Sequence, residues 1–284
     1  MSKPSYPPDM TTTDDGLHIP EVGDWAEEKY RLLWHYANLF ATSMKKKWDT
    51  RCYIDLFSGS GCARIRGTSR IIKSSSLLAL QIIDPFDCYV FCDSDPECIS
   101  SLKTRVANLN PSANCFFENC DVNTSAEEIL SRLPSYNKKN KVLSFCLVDP
   151  FKISDMKFET IKILSSNFMD FLVNIPAMDP IRNEIIYTAP SSEVISDYLG
   201  NPLWRNVRTQ ADPSIPFDIF VEKMFDIQMK TLGFKYGGFP DAKVIRSTEK
   251  NLPLYSLGFY SRSSLGEKFW REALKSASLQ RNLF

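Results

Sequence analysis

Hydrophobic and polar positions follow two rhythms along the chain. From Trp25, the residues Tyr30, Leu32, Leu33, Tyr36, Ala37, Leu39, Phe40 and Met44 recur at helical spacing, predicting a helix to about Lys47. Asp24 with Glu27 forms a capping-box-like start, and Lys45, Lys46 and Lys47 suit a helix C-terminus. Short apolar runs then alternate with helical stretches. CYIDLF (52–57), CYVFC (88–92), CFF (115–117), VLSFCLV (142–148) and DFLVNIP (170–176) read as strands. Residues 77–83, 96–106, a segment capped by Thr124 and Glu127, and 155–164 read as helices. Asp95 is placed as an N-cap and Pro96 in a first turn, where its missing N–H costs nothing. Strands apolar along their whole length fit a sheet buried on both faces, and the alternation predicts parallel βαβ units.

After Pro176 the rhythm breaks. Residues 177–240 are rich in proline and aromatics, with helical stretches at 183–199 and 217–232. Residues 243–246 and 254–260 read as late strands, and a final helix starts at Glu267. The polar, proline-containing residues 1–20 are expected to form a flexible arm. Residues 21–284 are then a single α/β domain with a helical, aromatic insertion at about 177–240.

The chain has 284 residues, with 34 Lys+Arg against 34 Asp+Glu, so a polyanion partner would need a local basic patch. No apolar run is long enough to span a membrane and no hydrophobic leader opens the chain, so a cytoplasmic protein without a membrane partner is expected. The two histidines exclude a His-rich metal centre. Cys52, Cys62, Cys88, Cys92, Cys98, Cys115, Cys120 and Cys146 include no paired C-x2-C knuckles, and several sit inside apolar runs. Reduced, metal-free thiols are the expectation.

The sharpest chemical signal is YIDLFSGSG. A strand ending in a glycine turn lets backbone approach a ligand closely. Gly59, Gly61 and Arg64 occupy the three glycine places of a dinucleotide fingerprint; the arginine disfavours a nicotinamide oxidoreductase. Asp55 on the strand offers instead a carboxylate for a cationic ligand, directly or through water. Asp93 ends the second strand, where a carboxylate can accept both hydroxyls of a ribose. Asp121 follows the third strand, at the usual place for an adenine, and Asp149 follows the fourth. One such Asp is an ordinary cap; four at successive strand ends point to a ligand edge.

DLFSGSG, VFCDSD, ENCDVN and LVDPF, in this order, resemble the successive motifs of class I S-adenosylmethionine-dependent methyltransferases. From Trp25 to about residue 272 the chain more closely resembles the three-Cys-motif partner family, a bacterial methyltransferase-like group. The aromatic helix before DLFSGSG, LVDPF, VNIP and LYSLGFYSRSSLGEKFW carry that likeness; Lys73-Ser74-Ser75-Ser76 stands where relatives tend to have Gly-Ser-Pro. The resemblance implies a Rossmann-like class I methyltransferase fold with a mostly parallel seven-stranded sheet and helices on both faces. It also implies S-adenosylmethionine as cofactor, held by Asp55, Phe57, Gly59, Gly61, Asp93 and Asp121.

Asp149-Pro150-Phe151 resembles the D-P-P-Y/F motif of amino-group methyltransferases, with one proline in place of two. There the acidic residue accepts a hydrogen bond from the target amine and the ring stacks on a flipped base. Phe151 as a core aromatic is the competing reading. Arg64, Arg66 and Arg70 follow the glycine turn and are the candidate phosphate contacts, a solvated loop being the alternative. The expectation is methyl transfer to an amino group of a nucleobase, in a nucleic acid or a nucleotide. The alternative is a non-catalytic cofactor-binding subunit serving a partner protein.

Overall fold

The computed structural model describes residues 9–247 and 251–281. The strands are β1 (Thr11–Thr12), β2 (Glu21–Val22), β3 (Thr50–Asp55), β4 (Cys62–Ile65), β5 (Ile71–Lys73), β6 (Cys88–Asp93), β7 (Cys115–Asn119), β8 (Val142–Val148), β9 (Met169–Ile175), β10 (Tyr236–Gly237), β11 (Lys243–Arg246) and β12 (Pro253–Ser261). The helices are α1 (Ala26–Met44), α2 (Ser75–Ala79), α3 (Pro96–Leu109), α4 (Ala126–Ser131), α5 (Phe158–Leu164), α6 (Met178–Thr188), α7 (Val194–Leu199), α8 (Trp204–Gln210), α9 (Phe217–Thr231) and α10 (Ser264–Arg281). None of the described helices is long and apolar enough to cross a membrane.

The main sheet runs β10-β12-β9-β8-β3-β6-β7, with β11 also pairing β12. Its five strands β7, β6, β3, β8 and β9 are mutually parallel, and β12 joins antiparallel to β9. The fold is therefore Rossmann-like α/β, with eight strands in the main sheet among the described residues rather than the expected seven, because both β10 and β11 pair with β12.

Alternation along each strand divides the core in two. Tyr53, Phe145 and Leu147 face a cluster that includes Tyr36 and Phe40 of α1, Leu102 of α3 and Trp270 of α10. Ile54, Cys146 and Val148, their neighbours in sequence, face the opposite cluster with Ile129 of α4, Ile161 of α5, Tyr198 of α7 and Phe225 of α9. Helices thus cover both faces, which is why the strands read as continuous apolar runs.

Several local expectations change. The helix starting at α1 begins at Ala26 with Trp25 at its N-cap position, and α4 begins after Ser125. The predicted helix at 77–83 is the short α2, Ser75–Ala79, and the one at 155–164 is a 3-10 turn at Ile153–Asp155 followed by α5. Most consequential is a second sheet, ordered β1-β5-β4-β2. Its hairpin β4–β5 stands where a basic segment, with a solvated loop as the alternative, was expected between the glycine turn and the helix at 77–83: Ile65, Ile71 and Ile72 are buried, and Gly67 bends the connection at φ +74°. Residues 9–20, expected as part of a flexible arm, lie against this hairpin; Thr11 and Thr12 pair with Ile72 and Ile71, and Met10 is buried. Residues 1–8 lie outside the described residues.

Candidate active site

The parallel strands end together. Asp55 closes β3, aligned with Phe91 of β6 and Leu147 of β8, and Asp93 closes β6 opposite Asn119 of β7. Asp149 follows β8 directly. The carboxyl edge of a parallel sheet is where backbone amides and strand-end side chains converge on a ligand.

The glycine turn crosses from β3 to β6. Ser58 N donates to Cys92 O at 2.8 Å, and Gly59 N donates to Asp93 Oδ2 at 2.8 Å. Gly59 has φ +59°, and a methyl group added there would meet nothing within 4 Å, so the conformation rather than crowding calls for glycine. Gly61 is different: at φ +88° an added carbon would sit 2.9 Å from Leu102 Cδ1 of α3. The turn is packed on one side and open on the other.

Asp93 also accepts from Asp95 N at 3.0 Å through Oδ1. Each carboxylate oxygen can accept a further bond, so the side chain fits the hydroxyl pair of a ribose. Asp121 is exposed beyond β7, where its Oδ1 accepts from Asn123 N at 2.9 Å in a local turn. Phe57 is half-buried against the second core cluster.

Asp55 takes another role. Its side chain has no exposure and accepts from Phe57 N at 3.4 Å and Tyr53 Oη at 3.3 Å. Burial pushes its carboxyl up to about 7; a Ser75 hydrogen bond opposes the shift and the Asp149 charge adds to it. A group so enclosed sits beneath the turn and is held there by the Phe57 amide and the Tyr53 hydroxyl.

Asp149 has a partner that the sequence reading missed. Lys29 Nζ of α1 donates to Asp149 Oδ2 at 2.6 Å, and both side chains are only 12% exposed. The ammonium also lies 5.1 Å from the Tyr30 ring centre and 5.3 Å from that of Tyr255 on β12. Burial pulls the ammonium down more than any one neighbour raises it, but the Asp149 charge and hydrogen bond together with Tyr30 and Tyr255 outweigh it and hold Lys29 above its ordinary value. The two residues are 120 positions apart, and nothing in the spacing of α1 marks Lys29.

The DPF loop is tied on its far side. Asn174 Nδ2 of β9 donates to Pro150 O at 3.4 Å, and Asp179 Oδ2 of α6 accepts from Ile153 N at 3.0 Å. Phe151 is 84% exposed, which removes the core-aromatic reading and leaves its ring faces accessible.

The three arginines occupy the hairpin sheet and its turn, each facing an acid. Arg64 meets Asp14 at 2.8 Å, Arg70 meets Glu27 at 2.6 Å and Arg66 lies 3.9 Å from Glu21. Their charge is locally balanced, and a phosphate would have to compete with these carboxylates. All eight cysteines are free thiols.

No family model and no curated protein sequence matches the chain. Solved structures are similar to it at low identity. The magnesium protoporphyrin IX methyltransferase of Synechocystis with bound SAH is 11% identical, with a TM-score of 0.41, over 83% of this chain and 84% of that one. Trm1 of Pyrococcus horikoshii with S-adenosyl-L-methionine is 13% identical, TM-score 0.45, over 93% of this chain and 64% of that one. An O-methyltransferase of Bacillus cereus in complex with SAH is 9% identical, TM-score 0.45, over 87% and 84%.

Proposed function

We propose that this chain is an S-adenosylmethionine-dependent methyltransferase of the three-Cys-motif partner family, acting on an amino group of a nucleobase in a nucleic acid or a nucleotide. The observation that carries the reading is the joined edge: a glycine turn open toward solvent, its Gly59 amide fixed on Asp93, with Asp149 in the next strand end on the other side of β3. The cofactor supplies an electrophilic methyl on a sulfonium. Asp93 holds the ribose, Asp121 lies at the adenine end, and Asp55, Phe57 and Gly61 keep the turn in shape from within. Asp149 retains Oδ1 as an acceptor for the amine while Lys29 fixes Oδ2, and exposed Phe151 offers a stacking face. Arg64, Arg66 and Arg70 contribute phosphate contacts if their acid partners yield.

Incubating the full chain with methyl-labelled cofactor and DNA, RNA, nucleotides or cell lysate tests this reading. Label in a nucleobase is expected, and Asp93→Ala should weaken cofactor binding at least about tenfold by calorimetry. Tight NADH binding with none of the sulfonium cofactor would overturn it.

The Lys29–Asp149 pair, with the three neutralised arginines, favours a second reading. A committed carboxylate and balanced basic residues suit a cofactor-binding subunit that serves a partner protein without transferring a methyl group. Cofactor affinity with no labelled product in any nucleic acid fraction would select it.

A further inference from the structure

The stretch before α1 meets α3 to one side of the edge. Arg105 of α3 is the joint. Its Nε and Nη2 donate to Asp15 Oδ2 and Oδ1 at 2.7 and 2.6 Å, and Nη1 donates to His18 O at 2.9 Å and to Ser60 O at 2.7 Å. Arg105 is 5% exposed, so this bidentate clamp fastens the backbone of His18 to both the helix and the glycine turn. The imidazole is thereby carried over the first turn of α3. One ligand atom from each of His18, Asp95 and Cys98 lies within 4.8 Å of the other two. Glu97 adds a carboxylate, with Oε2 3.6 Å from His18 Nδ1.

We propose that His18, Asp95 and Cys98 form a site for a divalent cation of the zinc class, with Glu97 or water as the fourth ligand. The donor set is mixed rather than merely acidic: one imidazole, one thiol and one carboxylate match zinc and cobalt and disfavour magnesium and calcium, which take oxygen ligands. Ligand atoms around a tetrahedral zinc stand roughly 3.4–3.8 Å apart, so the three groups need to close by about 1 Å. Cys98 is buried in α3, so the shift falls mainly to the exposed His18 imidazole. Asp95 Oδ1 caps α3 by accepting from Glu97 N at 2.8 Å, while Oδ2 faces the Cys98 sulfur at 3.8 Å. Metal binding breaks the Cys98 S–H bond and forms a metal–sulfur bond; the proton leaves to solvent, His18 gives a lone pair, and no atom changes oxidation state. Helix N-termini repel cations, but the thiolate with the Asp95 and Glu97 carboxylates outweighs that partial charge. The site departs from the expectation that every cysteine is metal-free, because His18 approaches α3 only in the folded chain.

Zinc titration of the full chain without cofactor, against a chromophoric chelator, tests the site, with cobalt as the spectroscopic probe. One equivalent should bind, and cobalt should show thiolate charge-transfer absorption in the near ultraviolet. His18→Ala and Cys98→Ser should each lower affinity at least tenfold, and zinc should raise the Tm of the parent protein but not of His18→Ala. His18 is exposed, so its variant decides the matter even if Cys98→Ser fails to fold. Absence of stoichiometric binding at micromolar zinc, or zinc binding that His18→Ala leaves unchanged, would overturn the site. Because no cofactor is present, failure here leaves the methyltransferase reading untouched.

Discussion

Lys29→Met removes one charge from the strand edge while keeping most of the stem that packs beside Tyr30 and Tyr255. In the parent protein the two charges stand 2.6 Å apart with side chains 12% exposed. At an effective dielectric of about 20 their attraction is roughly 6 kcal/mol before the cost of desolvating both is subtracted. The net worth of the pair is smaller, but breaking it strands the Asp149 carboxylate beside the wholly buried Asp55. Such orphaned charges cost about 3–5 kcal/mol; the residual exposure places this case at about 3. The raised value of the ammonium means that its contribution is fully present below the unfolded lysine value of ~10.4 and is lost only at higher pH, so unfolding at about pH 7.5 reads all of it. Urea unfolding should show a loss of about 3 kcal/mol, and thermal unfolding a Tm lower by roughly 5 °C. Adding Asp149→Asn to Lys29→Met should bring stability back to within about 1 kcal/mol of the parent, a coupling of about 2 kcal/mol or more. The lost cation–π contacts persist in both variants and cannot produce that recovery. A single variant within about 0.5 kcal/mol of the parent, or strictly additive effects in the cycle, would refute the reasoning.

Burial pushes Glu222 of α9 up to about 7, despite a hydrogen bond from Ser256 that lowers it, so stability falls as pH rises from the ordinary glutamate value of 4.5 to about 7. Glu222→Gln should therefore gain on the parent by up to about 1.4 kcal/mol per pH unit through that window, and a pH-independent difference between the two denaturation series would count against it. Gly61→Ala should destabilise by about 2 kcal/mol or more and Gly59→Ala by about 1, because only the first adds a clash with Leu102 to its positive φ; equal losses in urea melts would contradict the packing argument. If a nucleic acid is the acceptor, Asp149→Ala should lower turnover far more than cofactor affinity. Replacing Arg64, Arg66 and Arg70 together by Ala should instead weaken acceptor binding similarly across sequences and flatten its salt dependence; unchanged binding and salt slope would remove the patch from the site.

Local sequence carried the parallel frame. β8 and β11 span the predicted 142–148 and 243–246, and β3, β6 and β9 end within two residues of their predicted limits. A run apolar at every position has both faces to bury, and a βαβ sheet satisfies that wherever the rest of the chain lies. Asp95 as an N-cap was equally local: its Oδ1 reaches Glu97 N two residues on. The acids at the strand ends were legible because they interrupt apolar runs. What each does was decided by neighbours distant in sequence. Asp55 and Asp149 look alike in the chain, yet one lies beneath the turn without exposure and the other is paired with a lysine 120 residues earlier. The β4–β5 hairpin was not read because its pairing depends on β1, in the polar stretch 1–20 whose composition alone suggests an arm, and on β2, a strand of two residues. Arg105 shows the same limit: nothing in the sequence of α3 singles it out, and only in the folded chain do Asp15, His18 and Ser60 converge on it. Side-chain periodicity reports which face is buried; the partner on that face depends on contacts between segments far apart in the chain, to which a local window is blind.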